Sequence, residues 1–168
     1  MDLSDQVSVL LRPMLLGAAL LVALSGCADS APACPFTGTG HSAASAGCFL
    51  ASSEGLLVVQ AMNGKLSPPG GSSVPGEWAQ CTAFRETLEE TGLRLQPREL
   101  LRIFETGFHL YRCERDGQSG EIDPPLYWEV RAAFYLPVDQ FDDYEWRFPN
   151  QQLVLKTLLP KVIIDTPD

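Results

Sequence analysis

Residues Gly71 to Leu93 read GSSVPGEWAQCTAFRETLEETGL, and the last nine, RETLEETGL, set one arginine and three glutamates ahead of a glycine. At about 100 degrees per residue, Glu86, Glu89 and Glu90 (i, i+3, i+4) share one face of a helix. Cys81, Phe84 and Leu88 recur at i, i+3 and i+7 on roughly the opposite side, a stripe expected to meet apolar neighbours. The pattern predicts a helix from about Glu77 to Thr91, with acidic Glu77 at its positive N-terminal end and Gly92 as a left-handed C-cap. Like-charge pairs on an exposed helix cost only about 0.2–0.5 kcal/mol, so the acidic face alone is compatible with simple solvation. The upstream spacing decides the matter. Gly71 stands six residues before Glu77 and Glu77 eight before Arg85, giving G-x5-E-x7-R-E-x2-E-E-x-G-U, where U is a bulky aliphatic residue.

With its seven fixed identities matched from Gly71 to Leu93, this stretch resembles the signature box of the Nudix hydrolases. The one departure is Thr87, where the family prefers a bulky aliphatic residue; that position concerns core packing and no charged group. The resemblance implies an α/β fold, a Nudix-type α/β/α sandwich with a mixed β-sheet, over residues 46–164. It also implies that Arg85, Glu86, Glu89 and Glu90 are catalytic, and that Glu86, Glu89 and Glu90 ligate metal, with Glu89 or Glu90 the most critical. Arg85 would brace the carboxylates, Glu77 would complete the metal shell or a water network, and Gly71 and Gly92 would act through the backbone, one letting the loop fold tightly and the other ending the helix.

The residue chemistry points the same way. Hard oxygen donors select Mg²⁺ or Mn²⁺ over softer metals, and such ions neutralise a diphosphate, polarise its phosphorus and activate water. With this chemistry, the resemblance implies Mg²⁺- or Mn²⁺-dependent cleavage of a pyrophosphate bond in a nucleoside diphosphate linked to another moiety. The alternative is a non-catalytic Nudix module that binds a nucleotide or a partner at the cell envelope. A general base often lies outside the box in this family, and Glu114, Glu121, Glu129 and Glu145 are candidates. His109, in a strand, is expected to be structural or exposed; Tyr127 and Trp128 are aromatic residues expected to pack, with base stacking as the other option.

Outside the box, the 168 residues suit one domain with appendages, and the 45% hydrophobic and 20% charged composition is that of a globular chain. A net charge of -9 argues against nucleic-acid partners, which recruit clustered Lys and Arg. Met14 to Leu24 is an uncharged apolar run suited to a signal h-region and short for a bilayer span. Its sequel Leu24-Ser25-Gly26-Cys27 resembles the lipobox of bacterial lipoproteins, although Asp2 and Asp5 outnumber Arg12 in a region that is usually basic. Residues 1–27 are thus expected to be a signal peptide with lipidation at Cys27, anchoring the protein to a membrane. Ala28 after that cysteine implies, by the same resemblance, the periplasmic side of the outer membrane.

Residues 28–45, rich in Ala, Ser, Gly and Pro, are expected to be a flexible tether. Cys34, Cys48, Cys81 and Cys113 form an even set in what should be an oxidising compartment, so two disulfides are expected. Of three connectivities, Cys34–Cys48 with Cys81–Cys113 is favoured here, because the apolar stripe turns Cys81 towards the sheet. A metal site is the weaker option, as no two cysteines stand at C-x-x-C spacing. CFLASSEGLLVVQ reads as two short strands around a turn, with Leu56 to Val59 buried. Residues 67–76, full of Pro and Gly, predict a loop. Leu100–Tyr111 and Tyr127–Leu136 read as strands of a hairpin joined by CERDGQSGEIDPP, and Gln151–Leu159 as a closing helix.

Overall fold

A computed structural model describes residues 33–125 and 128–163, the last three by backbone only. The box becomes helix α1, Ala79–Thr91. It ends as the glycine foretells: Gly92 has φ 76°, its N–H donates to Leu88 O at 2.8 Å, and a Cβ there would meet Asp123 O at 2.3 Å. Among the described residues eight strands accompany it: β1 (Ser45–Phe49), β2 (Ala51–Ser52), β3 (Gly55–Ala61), β4 (Leu66–Ser67), β5 (Gly70–Ser72), β6 (Leu95–Ile103), β7 (Phe108–Arg115) and β8 (Val130–Leu136). A 3₁₀ helix (Val138–Asp143) and helix α2 (Gln151–Ile163) follow.

The strands form two four-stranded sheets. One runs β5-β1-β7-β6 and is mixed, because β1 and β7 are parallel while the other pairs are antiparallel. In the other, β3 is the centre, paired antiparallel with β2, β4 and β8. The apolar run Leu56–Val59 is buried on both faces of β3. Leu56 and Val58 join Phe49, Leu136, Trp146 and Leu155 in one core, whereas Leu57 joins Ala46, Ala79, Ala83 and Tyr111 in a second core under α1. This two-sided burial is what an α/β sandwich requires of its central strand.

Several details depart from the sequence reading. Residues 67–76 are not all loop: Gly70–Ser72 pairs with the edge of β1, and Pro68 and Pro69, which cannot feed a ladder, fall between strands. Leu100–Tyr111 is two strands of a hairpin, turned at Gly107 (φ 80°), whose N–H donates to Phe104 O at 2.9 Å. The polar segment after Cys113 does not close a hairpin, since β7 and β8 belong to different sheets.

The buried face of α1 is also rotated from the expected stripe. Ala79, Ala83, Thr87 and Thr91, spaced by four, are fully buried with Phe84, while Cys81 and Leu88 are half-buried. Small side chains let the helix sit close to β1. The favoured disulfide pairing falls with the stripe. The bonds are Cys34–Cys81 (Cα–Cα 5.2 Å) and Cys48–Cys113 (5.4 Å), both within ordinary disulfide reach. In the parallel β1–β7 register Cys48 lies opposite Tyr111, two residues from Cys113 and on the same face, which places these two cysteines side by side.

Residues 33–44 have no regular secondary structure but are fastened to α1. Besides Cys34–Cys81, His41 O accepts from Ala79 N at 2.8 Å and His41 N donates to Gln80 Oε1 at 3.0 Å, so the arm caps the start of the helix.

Candidate active site

The residues predicted from the box converge. Arg85 is the hub: its Nε and Nη2 donate to the two oxygens of Glu77 at 2.9 Å each, Nη1 donates to Glu86 Oε1 at 2.8 Å and Glu89 Oε2 at 3.1 Å, and Nη2 also donates to Ser72 O at 2.9 Å. A planar fork makes such simultaneous pairing possible, which a lysine would not reproduce. Glu77 is further held by Val74 N (3.1 Å) and the Thr82 hydroxyl (2.8 Å). The hydrogen bond from Arg85 is the main reason its carboxyl titrates below the usual range.

Glu90 stands apart from Arg85 and accepts from Gly70 N at 2.7 Å. Burial, outweighing that bond, pushes its pKa up to about 8. Glu86 is also raised, again chiefly by burial, with Arg85 opposing. Three carboxyl groups thus engage one guanidinium and Glu90 adds a fourth on the same helix, a surplus of negative charge in a partly desolvated place.

Gly71 lies under this cluster for a reason different from the expected tight turn. A Cβ on it would lie 2.3 Å from Glu86 Oε2 and 2.5 Å from its Cδ, so the glycine is the floor on which that carboxylate rests. Thr87, as expected, touches only the core: it is fully buried, and its hydroxyl has no hydrogen-bond partner among the described residues.

The donor set fits a hard divalent cation. Glu86, Glu89 and Glu90 each spend one oxygen, on Arg85 or on Gly70 N, and each keeps the other without a hydrogen-bond partner among the described residues. As they stand, no three His, Cys, Asp or Glu side chains among the described residues are gathered tightly enough to hold one ion. Binding therefore asks these flexible carboxylates to turn about their χ angles, at a cost that the excess charge offsets.

Of the four base candidates, the structure separates one. The charge of Glu129 is felt at both Glu86 and Glu90, where it adds to the upward shift of their pKa. Glu114 is held by Arg98 (2.8 Å) and Arg112 (2.7 Å), and it lines a hollow of about 430 Å³ with Leu50, Glu54, Arg115 and Tyr135, none of which belongs to the box. That hollow carries no constellation for the expected chemistry. Glu145 is near Lys65 (3.8 Å), and the influence of Glu121 is felt at Tyr135. His109 is not at the carboxylates: its Nδ1 lies 3.4 Å from the Tyr111 hydroxyl, which His41 Nδ1 approaches at 2.9 Å. Trp128 is exposed beside Glu129; Tyr127 and Cys27 lie outside the described residues.

Sequence reasoning missed Arg147. Its charge lowers the pKa of Glu90, and only the fold brings it there, since 57 residues separate the two.

Comparison with known proteins agrees with this architecture. The fold is shared with an ADP-ribose pyrophosphatase from Streptococcus suis (20% identity, 70% of this chain and 90% of that one, TM-score 0.58). It is also shared with a UDP-X diphosphatase (17%, 76% and 66%, TM-score 0.59) and an Ap4A hydrolase from C. elegans (19%, 71% and 98%, TM-score 0.56). No curated protein matches the chain significantly. The family model described as NUDIX domain matches residues 41–157, well over half of the chain and all of the carboxylate site, and the chain belongs to the NUDIX domain family.

Proposed function

We propose that this protein is a metal-dependent hydrolase of a pyrophosphate bond, acting on a nucleoside diphosphate linked to another moiety. The observation that carries the reading is the Arg85 hub, which holds Glu77, Glu86 and Glu89 beside the buried Glu90 over the floor made by Gly71. That family neighbours are described as diphosphatases, pyrophosphatases and Ap4A hydrolases supports the substrate class.

Glu86, Glu89 and Glu90, with Glu77 behind them, would hold Mg²⁺ or Mn²⁺. Such an ion, when bound, supplies charge neutralisation and a more acidic water. Arg85 would orient the carboxylates, and Glu129, whose charge is felt at Glu86 and Glu90, would be the carboxylate outside the box that takes a proton from water.

The same proposal places the protein outside the cytoplasm, anchored through Cys27 at the bacterial outer membrane. Supporting it are the apolar run Met14–Leu24, the lipobox-like LSGC, and the two disulfides, which persist in oxidising compartments. Free nucleoside triphosphates are scarce there, which favours a nucleotide sugar, a dinucleotide or a lipid-linked diphosphate.

The test is turnover by purified residues 28–168 with Mg²⁺ or Mn²⁺ on a panel of diphosphate compounds, with Glu89→Gln and Glu90→Gln as controls. Loss of turnover in the controls is expected. Activity untouched by both changes, or none on any compound, sinks the catalytic reading; binding without turnover would instead establish the non-catalytic module. For the anchor, labelled palmitate should be incorporated and should vanish in Cys27→Ala.

A further inference from the structure

Glu77 is the one carboxylate of the cluster that stands outside α1, and the segment carrying it has little to pack against. Val74, Pro75 and Gly76 are exposed and form a tight turn, with Gly76 at φ 82° and Glu77 N donating to Val74 O at 3.0 Å. Trp78, at the N-cap position, gives the helix no side-chain cap. The carboxylate is therefore placed by the hydrogen bonds made to it. Arg85 supplies two, but the same guanidinium is also drawn to Glu86, Glu89 and Ser72 O.

The other side chain that holds Glu77 is Thr82, fully buried in the first turn of α1. Its Oγ1 lies 2.8 Å from Glu77 Oε2, 2.8 Å from Ser73 Oγ and 3.3 Å from Trp78 O. A hydroxyl has one proton and an ionised carboxylate can only accept, so the Thr82 proton goes to Glu77 and the Ser73 hydroxyl donates in turn to Thr82 Oγ1. The Trp78 carbonyl, beyond the usual O–H···O range, competes poorly. Ser73 is itself fixed, because its N–H donates to Ala44 O at 3.0 Å and extends the β1–β5 pairing by one residue. An ordered chain thus runs from the sheet edge through Ser73 and Thr82 to Glu77. Oε2 of Glu77 accepts from Val74 N, Thr82 and Arg85, whereas Oε1 accepts from Arg85 Nε alone among the described residues.

We propose that Thr82 and Ser73, neither of them a fixed position of the box, are positioning residues for the metal site: their hydroxyls, in series, hold Oε2 of Glu77 so that Oε1 is the oxygen left for the ion or its water. The proposal rests on the reading of the box carboxylates as a Mg²⁺ or Mn²⁺ site.

The experiment measures Mn²⁺ affinity, by electron paramagnetic resonance of the free ion, in wild type, Thr82→Val, Thr82→Ser, Ser73→Ala, Glu77→Ala and the double variant Thr82→Val with Glu77→Ala. Thermal unfolding is followed alongside. Thr82→Val should weaken Mn²⁺ by about tenfold, the low end for one hydrogen bond to a charged group, and Thr82→Ser should restore binding. Ser73→Ala, acting through Thr82, should lose about threefold. In the Glu77→Ala background, Thr82→Val should cost nothing more, because the residue it positions is gone. Equal Mn²⁺ binding by Thr82→Val, no recovery in Thr82→Ser, or an undiminished loss in the Glu77→Ala background overturns the proposal and leaves Thr82 a packing residue. Should Thr82→Val fail to fold, Ser73→Ala at its half-buried position decides, and unchanged Mn²⁺ binding there overturns the series. A wild type that binds no Mn²⁺ removes the metal reading and this inference together. A wild type that binds Mn²⁺ and turns over no diphosphate, with Thr82→Val still weakened, removes the catalytic reading alone and supports this one.

Discussion

Replacing Gly71 with alanine isolates the role of the carboxylate floor. The new methyl would lie 2.3 Å from Glu86 Oε2, where ordinary contact begins near 3.4 Å, so the carboxylate must retreat by roughly 1 Å. Glu86 Oε1 is 2.8 Å from Arg85 Nη1, and a retreat of that size directed away from Nη1 would take the pair beyond hydrogen-bond range. One charge-assisted bond in a partly buried setting contributes about 1.5–3 kcal/mol, which corresponds to about 10- to 100-fold in the affinity of an ion that needs Glu86 in place. Gly71 does not occupy the left-handed region, so alanine adds no backbone strain and the fold should hold. The assay is Mn²⁺ binding followed by electron paramagnetic resonance of the free ion, with thermal unfolding as control. A variant that unfolds within a few degrees of wild type and still binds Mn²⁺ equally well would refute the argument.

Four further outcomes are expected. Thr87→Val removes a buried hydroxyl without a partner and keeps the branched shape, so it should stabilise the protein by about 1–2 kcal/mol in urea unfolding; destabilisation would show that the hydroxyl is in fact satisfied. Gly92→Ala forces a methyl at φ 76° into Asp123 O and should destabilise by about 2 kcal/mol or more; a neutral result would contradict the cap geometry. Peptide mapping without reduction should recover Cys34–Cys81 and Cys48–Cys113, and the double change Cys34→Ala with Cys81→Ala should cost about 2–4 kcal/mol. Glu90 has its pKa raised to about 8, so in metal-free protein its proton stabilises the fold at low pH and that contribution is lost as pH rises towards 8. A cation must displace the proton, so Mn²⁺ affinity should climb by about tenfold per pH unit from 6 to 8 and then level off; a flat profile over that window would overturn the assignment.

What could be read from the chain alone was local. Glu86, Glu89 and Glu90 share a face because a helix repeats every 3.6 residues, and Gly92 ends it because a left-handed residue must; neither needs a distant partner. The spacing of Gly71 and Glu77 from Arg85 carried the family, and the bulk apolar run Leu56–Val59 carried the buried central strand. Tertiary structure decided everything that depends on two distant segments meeting. The stripe through Cys81, Phe84 and Leu88 ranked faces by apolarity, but the sheet accepted the face with the smallest side chains, Ala79, Ala83 and Thr87, because close packing against β1 outweighs the hydrophobicity of a longer residue. That rotation turned Cys81 away from the sheet to Cys34 and left Cys48 beside Cys113. Likewise Glu129 and Arg147 have no sequence spacing that marks them, and their charges are felt at Glu90 because the strands β8 and β4 beside which their segments lie are both paired to β3. The chain carries its charged chemistry in one helix; which other charges face it is set by sheet register, a property no single segment holds.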